Sequence, residues 1–238
     1  MSTVDTSSRF LSRRTTAGLL LSGACVTAAG FVATPWEDEQ TTRAYLGALA
    51  ESATRAQVSA VLLHVGYLLL AAGAFGLLAV LGRRGGRIGV IGGVLTLLGA
   101  TTMPGLLVTD AYDLALAREL PRDTAVEVSD AVGELAMSTI IFLPALVGFV
   151  LGGILLVVAL WRVGEVPAVV PALVLLGWLV PMAGFDPTLI VAGGLVLVAA
   201  YALLAARLWR TPEESLPRRD RRPRAPAGPA RADAGAQA

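Results

Sequence analysis

Lysine is absent from this chain, and all 19 basic residues are arginine, a composition of the actinobacterial type. There is one cysteine, Cys25, and it sits in an apolar run. That excludes an intramolecular disulfide and a thiolate metal cluster. There is one histidine, His64, so no histidine pair can supply metal-ligand spacing. Charged residues are 16% of the chain, against about 25% in a typical soluble protein. The long apolar runs carry no Asp, Glu or Arg at mid-depth. Buried charge normally marks proton relays, charge-coupled antiporters and voltage sensors, so those classes are disfavoured. No GxSxG, P-loop, HExxH or CxxC motif occurs. Gly85-Gly86 and Gly92-Gly93 follow no strand and make no nucleotide fingerprint. No catalytic set, cofactor site, metal site or nucleic-acid-binding signature is expected.

What is present is apolar length. The chain of 238 residues is 55% hydrophobic, with a mean hydropathy of +0.69. The region Val58–Thr109 holds two apolar runs joined by a short turn with Arg83, Arg84 and Arg87. At about 1.5 Å per residue, each run can cross a hydrocarbon core of roughly 30 Å. Counting outward from this hairpin predicts an all-α membrane protein, a bundle of six transmembrane helices. The expected spans are about 17–34, 58–81, 88–109, 137–161, 166–183 and 188–209. Short extracytoplasmic helical extensions and a disordered C-terminal tail complete the expected domain plan. Residues 1–16 form the N-terminal segment before the first run.

Arginine placement orients the bundle. The N-terminal segment, the 82–87 and 162–165 turns and the tail hold about 15 Arg and 6 acids. The opposite side holds about 4 Arg and 12 acids. The positive-inside rule then predicts a bacterial plasma-membrane protein with both termini cytoplasmic. The first run, Ala17–Thr34, reads as a retained span; a cleaved secretory signal is the rival reading. Shifting the chain by about 79 residues aligns Gly73 with Gly152, Arg83 with Arg162 and Met103 with Met182, which would suit a parallel repeat or a shared hairpin composition.

Two connections face the acidic side. In residues 35–57, Tyr45, Leu46, Leu49, Ala53 and Ala56 recur at helical spacing, with Thr41 or Thr42 as cap. This helix is expected to run straight into the second span. Residues 110–136 are expected to form two helical stalks joined near Pro121, with Thr124 and Glu127 as a capping box. Pro144 is expected to kink the fourth span. Pro171 and Pro181 bracket the fifth. The pairs Gly89/Gly93 and Gly148/Gly152 are GxxxG motifs that permit close helix approach. Trp36, Trp161 and Trp209 read as interfacial anchors, and Trp178 as packing. Residues 211–238, rich in Pro, Ala, Arg and Gly, have no apolar period and read as disordered. Their Arg218, Arg219, Arg221, Arg222 and Arg224 form a basic cluster suited to anionic lipid headgroups.

The only polar constellation inside the membrane centres on His64. Tyr67 lies one turn deeper, and Thr101, Thr102, Ser138 and Thr139 are expected at similar depth, with Asp110 and Asp113 above. The functional reading is an outward-facing pocket or a pH-sensitive contact; the plainer one is a neutral histidine hydrogen-bonded in the packing. The expected partners are the lipid bilayer and either a second copy or another membrane protein. Non-enzymatic association within the membrane is the first functional reading. A small permease for a neutral or apolar solute is the second, and a membrane-embedded enzyme the third. A filled bundle favours the first; a polar midplane cavity favours the second.

Overall fold

A computed structural model describes residues 11–37, 39, 41–182 and 186–211. Every regular element among them is helical. In order these are α1 Arg13–Ala33, α2 Thr42–Glu51, α3 Ala53–Leu81, α4 Gly86–Glu119, α5 Arg122–Gly133, α6 Ala136–Leu143, α7 Phe149–Arg162, α8 Val169–Met182 and α9 Pro187–Arg210. Four helical stretches are long and apolar enough to cross a membrane: Arg13–Ala33, Ala53–Glu119, Ala136–Arg162 and Pro187–Arg210. The 67-residue stretch among them is α3 and α4, joined by a single 3₁₀ turn at Gly82–Gly85. Gly82 and Gly86 make that turn possible, at φ 49° and 55°, where a side chain would be strained. α8, with 14 residues, spans only about 21 Å and falls short of a hydrocarbon core. The helices mark a membrane protein by length and composition.

Local chemistry explains where the helices start and stop. Thr41 caps α2, its hydroxyl accepting from the Ala44 N–H. Asp186 caps α9, with the Thr188 and Leu189 amides on one carboxylate oxygen. Three of the four carbonyls that α1 leaves unpaired at its C-terminus, those of Gly30, Phe31 and Val32, are taken up. Ser59 and Thr34 donate to Gly30, the Trp36 indole N–H donates to Phe31 at 2.9 Å, and Arg55 reaches Val32 and Thr34.

Several expected boundaries move. The helix over 42–51 does not run into α3, because Ser52 breaks it at φ −121°, ψ 42°. The break lets Leu46 and Leu49 turn onto neighbouring helices, where they are buried. The Thr124–Glu127 capping box is not formed. Pro121, at φ −54°, starts α5 one residue later, which places Thr124 inside the first turn. The second stalk ends at Gly133 and does not continue into α6. Pro144 does disturb its helix, as a π-helical turn over Pro144–Gly148 between α6 and α7. α8 starts at Val169, three residues later than the expected span, and Pro171 lies within its first turn, where its missing N–H costs nothing. Residues 212–238, including the five tail arginines, lie outside the described residues, as do residues 1–10.

The long helices form a closed ring in the order α1, α3, α4, α7, α8, α9 and back to α1, each antiparallel to its neighbours. Small residues set the closest approaches. Gly23 faces Leu70, Gly30 faces Leu63, and Leu20 faces Gly73, so α1 and α3 interlock along one antiparallel register. α4 and α7 touch backbone to backbone. A Cβ on Gly99 would lie 2.5 Å from the Phe149 Cα, and one on Gly152 would lie 2.8 Å from the Thr96 Cα. The Gly148/Gly152 motif is therefore an interface. The ring's centre is filled by Leu20, Leu77, Leu156 and Val157, with an edge-on aromatic chain from Tyr67 to Phe149 (5.3 Å) to Trp178 (5.9 Å). Among the described residues, the void where all six helices meet measures about 20 Å³, room for about one water.

Candidate functional site

α2, the protruding end of α4 and α5 pack into a small helical cap beyond one end of the ring. α4 is long enough for this: its 34 residues rise about 51 Å, so its last turns outrun any hydrocarbon core. Leu49, Ala56 and Leu114 form the cap's own apolar core, with Tyr45 and Ala53 against it, and Ala125 is fully buried nearby.

At the cap's centre is an acid pair. Tyr45 donates its phenol proton toward Asp110 at 2.9 Å, with Asp113 at 3.4 Å. Ser129 from α5 donates to the other oxygen of Asp113 at 3.1 Å. One hydroxyl from each flanking helix thus holds two carboxylates one helical turn apart on α4. Polar contacts ring this centre. Thr42 donates to Asp130, Arg43 pairs with Asp123, and Arg122 donates to the Arg43 carbonyl at 3.2 Å.

The electrostatics follow from placement. Burial pushes the Asp110 carboxyl up to about 6; the Tyr45 hydrogen bond opposes this, and the Asp113 charge adds to it. Burial also raises Asp113, against the pull of the Ser129 and Tyr45 donors. Burial and the two carboxylates hold the Tyr45 phenol well above its ordinary value. Asp110 can therefore take up a proton near neutral pH while Tyr45 stays a donor. The arrangement is suited to a proton-responsive fastening of α2 to α4. No group of three metal-ligating side chains occurs among the described residues.

The residues read from sequence fall in different places. Asp110 belongs to the acid pair. It also lines an outward cleft of about 320 Å³ between α3 and α4, with Ala56, Ala60 and Leu114 in its walls and Arg118 and Glu119 at its rim. His64, Tyr67, Thr101, Thr102, Ser138 and Thr139 do not line that cleft. His64 is half-buried one turn below Ala60 on the same face of α3. Tyr67 is buried against Phe149. The α3–α4 register follows from Leu78 packing on Gly93, which sets His64 level with about residue 107. Thr101 and Thr102 lie about one and a half turns deeper, and both hydroxyls bond to Leu98 of their own helix. Ser138 bonds to the Val132 carbonyl, and Thr139 is exposed. These hydroxyls are thus not gathered around His64.

Sequence reading missed Tyr45 and Ser129 as site residues. Tyr45 lies in an apolar helical period, where only its phenol signals a polar role. Ser129 carries no such signal. At the opposite end of the ring, Arg13 pairs with Glu165 at 2.9 Å and Arg84 reaches the same carboxylate at 3.0 Å. The N-terminal segment, the α3–α4 turn and the α7–α8 turn therefore meet at one end of the molecule.

No family model, no curated protein and no solved structure matches the chain.

Proposed function

We propose that this is a six-span plasma-membrane protein that works by association within the membrane, not by catalysis, and presents its acidic cap on the extracytoplasmic side. α1, α3, α4, the α6–α7 stretch and α9 supply five spans, and α8 with the flanking residues from Val166 supplies the sixth. The membrane part of α4 ends near Thr109, which leaves the acid pair outside the hydrocarbon. The observation that carries this reading is the filled ring. Among the described residues, the void where all six helices meet measures about 20 Å³ and has Phe149 and Trp178 in its wall, room for about one water and not for a solute. The orientation is supported by the meeting of Arg13, Arg84 and Glu165 at the end opposite the cap.

A permease for a neutral or apolar solute is the second reading. Its support is the π turn at Pro144–Gly148, above which α6 has no buried residue, so this half-helix could move against the ring.

Two measurements test the proposal. In a Cys25→Ser background, single cysteines at Thr124 and Arg87, both exposed, are treated with an impermeant thiol reagent in intact cells. Thr124 should be labelled and Arg87 spared; the reverse overturns the orientation. A photo-crosslinking residue at exposed Glu127 should give a discrete heavier species in the membrane, absent when placed at buried Leu156. Loss of that species, together with solute flux through proteoliposomes of the purified protein, would favour the permease.

A further inference from the structure

A cleft of about 490 Å³ opens at the end of the ring opposite the cap, between the start of α1 and the end of α9. It is lined by three arginines, Arg13, Arg14 and Arg210, together with Leu208, Trp209 and the hydroxyl residues Ser12 and Thr211. Arg13 is committed to Glu165, but Arg14 and Arg210 are exposed and form no ion pair among the described residues. The surroundings are strongly basic. Among the described residues, this end of the ring holds Arg13, Arg14, Arg83, Arg84, Arg87, Arg162, Arg207 and Arg210 against Glu165 alone. Glu165 is already shared by two arginines, so it cannot neutralise the rest.

We propose that this cleft binds the phosphate of an anionic phospholipid, with Arg14 and Arg210 as its clamp and Trp209 against the glycerol region. Guanidinium groups match phosphate oxygens with paired N–H donors, and two of them on different helices can approach one phosphodiester from both sides. The apolar part of the cleft selects lipid over a free anion. Trp209 is about half exposed (48%) in the last turn of α9, at the level where the apolar run gives way to arginine. An indole at that level sits among headgroups, with its ring on the acyl boundary. Basic pockets between membrane helices recruit anionic headgroups by this combination. The site is separate from the tail arginines 218–224. It rests on the reading of the ring as membrane-embedded, not on which face is cytoplasmic.

The test uses the full chain in nanodiscs. Discs of phosphatidylcholine are compared with discs in which about a third of the lipid is phosphatidylglycerol, at low salt. The thermal midpoint should rise in the anionic discs, by several degrees if the lipid is near saturation. Arg14→Gln with Arg210→Gln should remove most of that rise while leaving the midpoint in phosphatidylcholine unchanged. Arg87→Gln with Arg162→Gln, exposed arginines at the same end but outside the cleft, should keep it. Trp209→Ala should reduce it independently of charge. Inorganic phosphate added to phosphatidylcholine discs should have no effect; an equal rise would mean a free-anion site and overturn the lipid assignment. Equal loss in both double variants would reduce the effect to diffuse charge. Loss on replacing the five tail arginines, with the cleft intact, would assign it to the tail. Either result overturns the proposal. Failure of the protein to enter discs at all would instead strike the membrane reading itself.

Discussion

Arg13 and Glu165, 152 residues apart, meet through two hydrogen bonds at 2.9 and 3.2 Å, with both side chains nearly buried. The pair ties the first helix to the turn between α7 and α8, which closes the ring far from the cap. Arg84 joins the same carboxylate from the α3–α4 turn but is 62% exposed.

Glu165→Gln should therefore cost about 1.5–3 kcal/mol, the usual worth of hydrogen bonds to a charged group. Arg13→Gln should cost a similar amount, and Arg84→Gln about 0–1 kcal/mol because its partner contact is solvent-screened. Arg13 and Arg84 hold the Glu165 carboxyl below its ordinary range. The sign follows: this stability is present above the ordinary carboxylate pKa and is lost as pH falls through the lowered one. Thermal unfolding in detergent, from neutral pH into strong acid, would show it. An unchanged midpoint in Glu165→Gln would deny the pair a structural role.

Adjacent glycines should respond oppositely to the same change. Gly152→Ala places a methyl group 2.8 Å from the Thr96 Cα, backbone that cannot yield, and should cost about 1–3 kcal/mol. Gly153→Ala meets nothing within 4 Å and should be neutral or slightly stabilising. Equal midpoints for the two variants would contradict the α4–α7 contact.

The cap should tighten in mild acid. The Asp110 pKa is raised in the folded cap, to about 6, so the folded form binds the proton more tightly than the unfolded form. The cost of the buried charge is full above that value and falls away as pH drops through it. Hydrogen exchange of α2 amides, corrected for intrinsic rates, should slow between pH 7.5 and about 5.5. Asp110→Asn should remove most of this dependence. Tyr45→Phe should speed exchange most at the upper pH, where two carboxylates lose their shared donor. Exchange that is flat in the natural protein would refute the fastening.

Thr27 is buried on α1 against Gly66 of α3, and its hydroxyl has no hydrogen-bond partner among the described residues. An unsatisfied buried hydroxyl is costly, whereas a methyl of the same shape is not. Thr27→Val should raise stability by about 1 kcal/mol. Loss of stability would show that the hydroxyl is satisfied in the membrane-embedded protein.

Helix content was legible in the residues, because an apolar run of some 20 residues with arginine at its ends has few alternatives. The Thr41 cap, the Pro144 disturbance and the short arginine turn were legible too. Each depends on chemistry within a few residues. The cap was half legible. Its helices could be placed from spacing, but the break at Ser52 and the early start of α5 at Pro121 could not. Those are decided by where Leu46, Leu49 and Ala125 find apolar partners.

By itself, the sequence determined an all-helical chain with membrane-length apolar helices and a segregation of arginine from acid. These follow from composition and period, which are local. Only the tertiary structure decided the order of helices around the ring, the filling of its centre, and the partners of Asp110 and Glu165. Tyr45 lies 65 residues from Asp110, and Arg13 lies 152 from Glu165. No local rule connects such pairs. The helices fix depth through their rise, but which side chains meet at a given depth depends on rotation and register between helices. In this chain, small residues set that register. Gly23, Gly66, Gly99 and Gly152 let the backbones of α1 and α3 and of α4 and α7 approach, and Gly93, which receives Leu78, sets His64 level with residue 107, well above the threonines expected beside it.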